Sequence, residues 1–300
     1  MPRLFKIDKS SNGMRIDRWI KNNVAKLPQS LIEKELRKGN IKLNDKKVKS
    51  SIKIKSKDEI KFYNLNYKSD NKEFTKNFIP SPKAIKKNES LIINNNDNFI
   101  VLNKLAGIPV QGGTKSHNNI IDTLSKSKIF KDTKPFTVHR LDKDTSGILI
   151  VAKNRQAASL ITSLFRLRKI YKTYLAISEG EISPSSGELN HNLIRYEGRK
   201  KIIEKAKSYY KLLDYNQNLS LLELKPITGR KHQLRKQLYE IGHPICGDHK
   251  YYSKIKIKNL MLHAYEIKFK INDQKYTYKA KPPDYFTNFL KIKKIRFLEN

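Results

Sequence analysis

Residues 139–152 read HRLDKDTSGILIVA, and this stretch decides the reading of the chain. Its second half, Gly147 to Ala152, is an unbroken apolar run that reads as a buried strand. Its first half is polar and turn-prone. There Asp142 stands two residues after Arg140 and two before Asp144. A loop pinned beside a rigid element is where folds hold reactive groups. Asp142 is therefore the first candidate for chemistry.

Outward from that loop, the chain is strongly basic. Its 300 residues carry 63 Lys and Arg against 28 Asp and Glu, a net charge of +35. Lys-rich, Asn-rich composition accompanies AT-rich coding, but the acidic residues have not risen in step. A field of this sign favours a polyanion and makes binding salt-dependent. The single cysteine, Cys246, excludes a disulfide framework and a cysteine-based metal site. The seven histidines have no ligand spacing. The opening Met-Pro-Arg-Leu-Phe-Lys lacks the apolar core of a signal peptide, and no apolar run approaches the ~18 residues of a spanning helix. The expectation is a cytoplasmic protein with no membrane association, about two domains long at ~150 residues each.

Residues 12–63 read as a compact basic module. Ile16, Trp19, Ile20 and Val24 share one helical face, with Arg15, Arg18 and Lys21 off it. Ser30 followed by Glu33 is a capping-box pattern for a second helix, with Leu31, Ile32 and Leu36 as its apolar side and Gly39 as its stop. Ile41-Lys42-Leu43 alternates, Asn44-Asp45 turns, and Val48, Ile52, Ile54 and Ile60 continue short strand-like pieces. Residues 64–90, polar and with Pro80 and Pro82, read as a linker.

From about residue 91 the pattern becomes globular. Strands are expected at NFIVLNK, GILIVAKN, YKTYLAIS, KSYYKLLDY and LSLLELKPI, with a late hairpin around Asn272-Asp273. Helices are expected at NIIDTLSK, RQAASLITSLFRLRKI and GRKHQLRKQLYEIG. Residues 180–205 read as irregular. Hairpins mixed with single helices predict an α+β chain, its larger domain (91–300) a mixed, mainly antiparallel sheet with helices packed on it.

The stretch RIDRWIKNNVAKLPQSLIEKELRKGNIKLNDKKVK resembles the S4 RNA-binding domain, two helices followed by a small β ribbon. That likeness makes Arg15, Arg18, Lys34, Arg37 and Lys38 the candidates for RNA phosphates. A solvated helix face is the usual fate of such a charge run; the cationic chain favours the RNA reading.

The last two thirds of the chain resemble the RluA-type pseudouridine synthases. The motifs are HRLDKDTSGILIVAKN, KTYLA at 172–176, PITGRKHQLRKQLYEIGHPICGDHKYY at 226–252 and LMLHA at 260–264, in the family's order. With the S4-like head in front, the chain is most similar to the large-subunit ribosomal pseudouridine synthase C group. The resemblance implies isomerisation of uridine to pseudouridine within RNA, 23S ribosomal RNA at the family level, with no cofactor, no metal and no obligate protein partner. It makes Asp142 the catalytic carboxylate. Arg235 in HQLR becomes its cationic partner, because a planar fork suits a carboxylate. Tyr174 in KTY would stack on the uracil, and Arg140 would fill the place of the extruded nucleotide. A buried carboxylate beside that cation is expected to keep a low pKa.

Other motif residues carry structural expectations. Asp144, Thr145 and Ser146 suit a turn, His139 is structural, and His232, Gln233, His243 and Asp248 have no assigned chemistry. Gly147 and Gly229 suit backbone geometry. The chain departs from the family at Leu105 and Gln111, where proline and histidine are usual.

Two rivals compete. Asp142-Lys143-Asp144-Thr145 fits the Asp-x-Asp-x-Thr opening of haloacid-dehalogenase-type phosphatases, but there the buried strand precedes the motif and here it follows. A non-catalytic RNA-binding assembly factor would explain the charge and the head, yet needs no carboxylate at position 142. Transfer RNA is the alternative substrate for the same reaction.

Overall fold

The computed structural model describes residues 2–8, 11–24, 27–63, 80–112, 119–131, 133–197 and 200–297. They fall into two compact units, within Met1–Lys76 and Asn77–Asn300.

The first unit contains β1 (Arg3–Lys6), α1 (Ile16–Asn23), α2 (Gln29–Lys38), β2 (Ile41–Leu43) and β3 (Glu59–Phe62). The strands form an antiparallel sheet in the order β1-β3-β2. Ile16, Trp19 and Ile20 of α1 and Ile32 and Leu36 of α2 are buried with Ile41, Ile60 and Phe62. The helical spacing of the apolar residues thus builds the core. Gly39 ends α2 in the left-handed conformation at φ 84°, its N–H on the carbonyls of Glu35 and Leu36. Asn44 and Asp45, both at positive φ, make the tight turn after β2.

Three details differ from expectation. The sheet takes in β1, ahead of the expected start at residue 12, because Phe5 packs on Trp19 and Phe62. Ser30 does not cap α2. The helix starts two residues earlier, after Pro28, and Ser30 lies inside its first turn. Of Val48, Ile52, Ile54 and Ile60, only Ile60 lies in a regular strand, although Ile54 is fully buried.

The second unit contains α3 (Pro82–Glu89), β4 (Ile92–Asn95), β5 (Phe99–Lys104), α4 (Ile120–Leu124), β6 (Phe136–Thr137), β7 (Ser146–Ala152), α5 (Arg155–Arg166), β8 (Tyr171–Glu179), β9 (Ser186–Glu197), β10 (Lys200–Asn216), β11 (Leu219–Pro226), α6 (Gln233–Glu240), β12 (Leu262–Ile271), β13 (Gln274–Lys279) and α7 (Asp284–Ile292). The sheet runs β4-β5-β7-β12-β8-β11-β10-β9, with β13 paired to β12 and β6 to β7. Among the described pairings only β7 with β12 is parallel, at Ser146–His263 and Gly147–Ala264. All seven residues of β7 are buried. Its side chains alternate as a strand's must: Ile148 and Ile150 pack with Ala157, Ile161 and Leu164 of α5, Leu149 and Val151 with Ile120 and Leu124 of α4. The region beyond β8 has its own core, where α6 and α7 insert Leu234, Leu238, Phe286 and Leu290.

Gly147 shows how closely β7 and β12 approach. Its φ is 108°, and a Cβ there would lie 2.2 Å from the carbonyl oxygen of Ala264. Only glycine fits.

The expected linker is partly a helix. Residues 64–79 lie outside the described residues, but 82–89 form α3. Ser81 caps it by accepting the N–H of Ala84, and a proline stands in its first turn. The expected irregular stretch 180–205 is instead the hairpin β9–β10, paired from Lys200–Glu197 through Lys211–Ser186. The helix expected from Gly229 is confined to Gln233–Glu240, because His232 takes a left-handed conformation at φ 54°.

Candidate active site

The loop from Val138 to Thr145 joins β6 to β7 and is fixed at several points. Val138 and Leu141 are buried. The ring of His139 stacks on Phe165, centroids 4.6 Å apart, and its Nε2 accepts the N–H of Ile150 at 2.8 Å. β12 reaches β7 only at 146–147 and β6 only at 151–152, so His139 serves an amide that these two strands leave without a partner. Its pKa is pushed by burial to about 3, with Lys172 adding in the same direction, so the ring is neutral.

Lys104, at the end of β5, is fully buried. Its ammonium donates to the carbonyls of Leu105, Ile108 and Lys143 at 2.8, 3.0 and 3.0 Å. It ties the 105–108 turn to the Asp142 loop, and the N–H of Gly107 reinforces the link on the same Lys143 carbonyl. Burial pushes the Lys104 pKa down to about 7, with Asp144 and Asp142 opposing. The departure from the family pattern at Leu105 thus sits on a turn whose position Lys104 sets.

Asp142 opens into a cleft lined by Arg140, Lys172, Tyr174, His232 and Arg235. The expected residues Asp142, Tyr174, Arg235 and Arg140 therefore do meet. Tyr174 comes from β8, between Leu224 of β11 and Ala264 of β12. Burial and the Asp142 charge push its hydroxyl pKa far up, so it stays protonated. Lys172 precedes it by two residues, and burial pushes its pKa down to about 8.

Arg235 does pair with Asp142, but not in the two-pronged form that its fork suggested. Arg235 makes its two-pronged bond to Asp248, Nε to Oδ2 and Nη2 to Oδ1, both 2.7 Å. Its remaining Nη1 lies 3.9 Å from Oδ2 of Asp142. Burial alone would raise the Asp248 carboxyl; hydrogen bonds and charge from Arg235, with the N–H groups of Tyr251 and Lys250, outweigh it and hold it below the usual range. The guanidinium also lies 5.2 Å from the centre of the Tyr251 ring.

The pKa of Asp142 is corrected with it. Burial raises it, Arg235 lowers it, Asp144 raises it, and Arg140 and Lys104 lower it; the net shift is upward. Desolvation wins because the strongest nearby cation has spent its best geometry on another carboxylate.

Asp248 is one of two residues beside Arg235 and Asp142 to which the sequence assigned no chemistry. It stands thirteen residues beyond Arg235, in a Gly-Asp-His turn, and only the packing of that turn on α6 brings the two together. His232 was the other. Its Nε2 lies 3.6 Å from Oδ1 of Asp142. Gln233 fixes the turn before it, accepting the Thr228 hydroxyl and the Arg230 N–H and donating to Lys207 O and Ser208 Oγ.

Ser146, expected to be structural, donates to Nδ1 of His263, whose Nε2 donates to the carbonyl of Ala280; these roles follow because a carbonyl only accepts. Among the described residues no cluster of three or more His, Cys, Asp and Glu is placed to hold a metal ion. No helix of the described residues is long and apolar enough to cross a membrane.

In the first unit, Arg18, Lys34, Arg37 and Lys38 are exposed. Arg15 is engaged by Asp17, with Nε to Oδ1 at 3.1 Å and Nη2 to Oδ2 at 2.6 Å.

Residues 98–240 match the RNA pseudouridylate synthase family. A ribosomal large subunit pseudouridine synthase C of Rickettsia conorii is 37% identical over 294 residues, covering 92% of this chain and 96% of the relative. The protein of that name from Vibrio parahaemolyticus is 31% identical, covering 88% and 87%. Among solved structures, human RNA pseudouridylate synthase domain containing 4 superposes with a TM-score of 0.63 at 27% identity, over 72% of this chain and 97% of that one.

Proposed function

The chain belongs to the RNA pseudouridylate synthase family, and from that premise we propose how its residues isomerise uridine in the RNA of the ribosomal large subunit. It is an RNA pseudouridine synthase, an isomerase. The N1–C1′ bond breaks and the C5–C1′ bond forms; the C5 proton is lost and N1 gains one. Atoms balance without a co-reactant. The names of the relatives support ribosomal large-subunit RNA, 23S in bacteria, over transfer RNA.

The ionised carboxylate of Asp142 is the reacting group. What carries this reading is its seat at the cleft, between His232 and Arg235 and beside Tyr174. Tyr174, protonated and rigidly seated in mid-sheet, stacks on the uracil. Exposed Arg140 enters the space that the extruded nucleotide leaves, and the uracil can reach Asp142 only once it is out of its stack. Arg235, aligned by Asp248, supplies positive charge beside the carboxylate. The first unit, similar in sequence to S4 domains, tethers RNA through Arg18, Lys34, Arg37 and Lys38, with Arg15 in a lesser role. Two weak contacts on one molecule reinforce each other. A cytoplasmic location, where its substrate would be met, belongs to the same proposal, as does activity without a protein partner.

The test is Asp142→Ala in the full-length protein. RNA affinity stays within about twofold of wild type and conversion of uridine is lost. Conversion at the wild-type rate refutes the assignment. Mapping pseudouridine in RNA from cells with and without the gene identifies the target and decides between ribosomal and transfer RNA.

A further inference from the structure

His232 combines features that an ordinary helix-start residue does not need. It lies in the left-handed backbone region at φ 54°, a conformation that disfavours a residue with a Cβ. Its side chain is mostly covered, at 14% exposure, yet it faces the cleft. One ring nitrogen, Nδ1, is 3.0 Å from the hydroxyl of Tyr251, and the other, Nε2, is 3.6 Å from Oδ1 of Asp142. Arg235 approaches the other carboxylate oxygen, Oδ2, at 3.9 Å.

These contacts select one tautomer. With Nε2 unprotonated, a lone pair would face the oxygen of a carboxylate. With the proton on Nε2, the ring donates towards Asp142 and Nδ1 accepts the Tyr251 hydroxyl, so every contact is complementary. The second arrangement is the favourable one whenever Asp142 is ionised.

Resting on the reading of Asp142 as the reacting carboxylate, we propose that His232 is a positioning residue: its Nε2–H, set by the Tyr251 hydroxyl, holds Oδ1 of Asp142 and leaves Oδ2 to face the substrate. The neutral ring does what a second arginine would do less selectively. It donates one hydrogen bond along one direction and adds no net charge to neutralise the nucleophile. Catalytic hydrogen bonds are often long before substrate binds, and 3.6 Å closes to bonding distance with a shift of several tenths of an ångström. The ring stays neutral because burial, with Arg235, Lys250 and Lys231 beside it, pushes its pKa to about 4 against the opposing charge of Asp248. The charged groups acting on Asp142 itself are Arg235, Asp144, Arg140 and Lys104. A His232 variant leaves all four in place, so a moved acid limb reports the lost donor.

The experiment measures single-turnover conversion against pH for full-length wild type, His232→Asn, His232→Gln and Tyr251→Phe, with RNA affinity measured alongside. Asparagine tolerates the left-handed backbone but is too short to reach Asp142; glutamine reaches it and donates without titrating. His232→Asn is expected to slow conversion about tenfold and move the acid limb towards neutrality, with RNA affinity unchanged. His232→Gln recovers most of the rate and the wild-type limb. Tyr251→Phe moves both in the direction of His232→Asn but less far. Nitrogen-15 spectra of histidine-labelled wild type show the Nε2–H tautomer at residue 232. A wild-type rate and limb in His232→Asn, or an Nδ1–H tautomer in wild type, overturns the role. Asp142→Asn runs beside them: loss of activity there with unaltered His232→Asn sinks only the positioning role, whereas wild-type activity in Asp142→Asn sinks the reading of the site.

Discussion

Arg235 is held by Asp248, and only what is left of its guanidinium faces Asp142. The two 2.7 Å bonds to Asp248 fix the plane of the fork, and Nη1 then stands 3.9 Å from the Asp142 carboxylate. The aim of the cation is set from behind the site.

Asp248→Asn tests that arrangement. It leaves a buried cation with a neutral partner, and the expected loss of unfolding free energy at neutral pH is about 3 kcal/mol. Conversion falls by about tenfold or more as Nη1 drifts. Because the folded pKa of Asp248 lies below its unfolded value, its contribution to stability is complete above about pH 4 and disappears as pH falls through the folded pKa. Urea unfolding at neutral and at strongly acidic pH should therefore show wild type and variant converging in acid. Equal stability at neutral pH would contradict the assignment.

Asp142 carries the opposite sign. Its folded pKa is raised, so the group favours the fold in acid and loses that contribution as pH rises through the folded value. At neutral pH, Asp142→Asn should raise the melting temperature while it abolishes conversion. Asp144 pushes the Asp142 pKa up, so Asp144→Asn should move the acid limb of the rate profile to lower pH. A limb moved the other way would mean that Asp142 is not the titrating group.

Lys104→Met removes three bonds from one buried ammonium and leaves the carbonyls of Leu105, Ile108 and Lys143 without that donor. A cost on the order of 2 kcal/mol is expected in urea unfolding. Conversion should fall at unchanged RNA affinity, because Lys104 is fully buried and the loop it ties carries Asp142. A loss of affinity with an unchanged rate would place its effect elsewhere.

The head is tested by salt dependence. Charge reversal of Arg18 and Arg37 together should lower the slope of log affinity against log salt by about 2, one per lost phosphate contact. Arg15→Ala should lower it less and instead destabilise the first unit, because Arg15 is bound to the buried Asp17. Equal slopes for wild type and the double reversal would remove the first unit from RNA binding.

The sequence displayed what repeats locally and hid what depends on packing. The apolar run of β7 and the turns at Asn44-Asp45 and Asn272-Asp273 were legible because neighbours along the chain decide them. The hairpin β9–β10 was not. Ile194, Tyr196 and Ile203 face solvent, and the buried Gln237 of α6 donates to the carbonyls of Leu189 and Ala206, so apolar alternation is missing. The meeting of Asp142, Tyr174 and Arg235 followed from family motifs. The partner of Arg235 and the approach of His232 did not, since both turn on the left-handed corner at His232 and the fold of the 248–251 turn over α6. The expected low pKa of Asp142 failed for the same reason.

The imidazole of His139 stands in mid-sheet where a peptide group would ordinarily be. Lengthen β6 by two residues and its own backbone would occupy that seat, drawing the following segment into the ladder and carrying residue 142 away from its neighbours. The loop that carries Asp142 leaves the sheet where two strands stop short, and one imidazole takes the amide they leave behind.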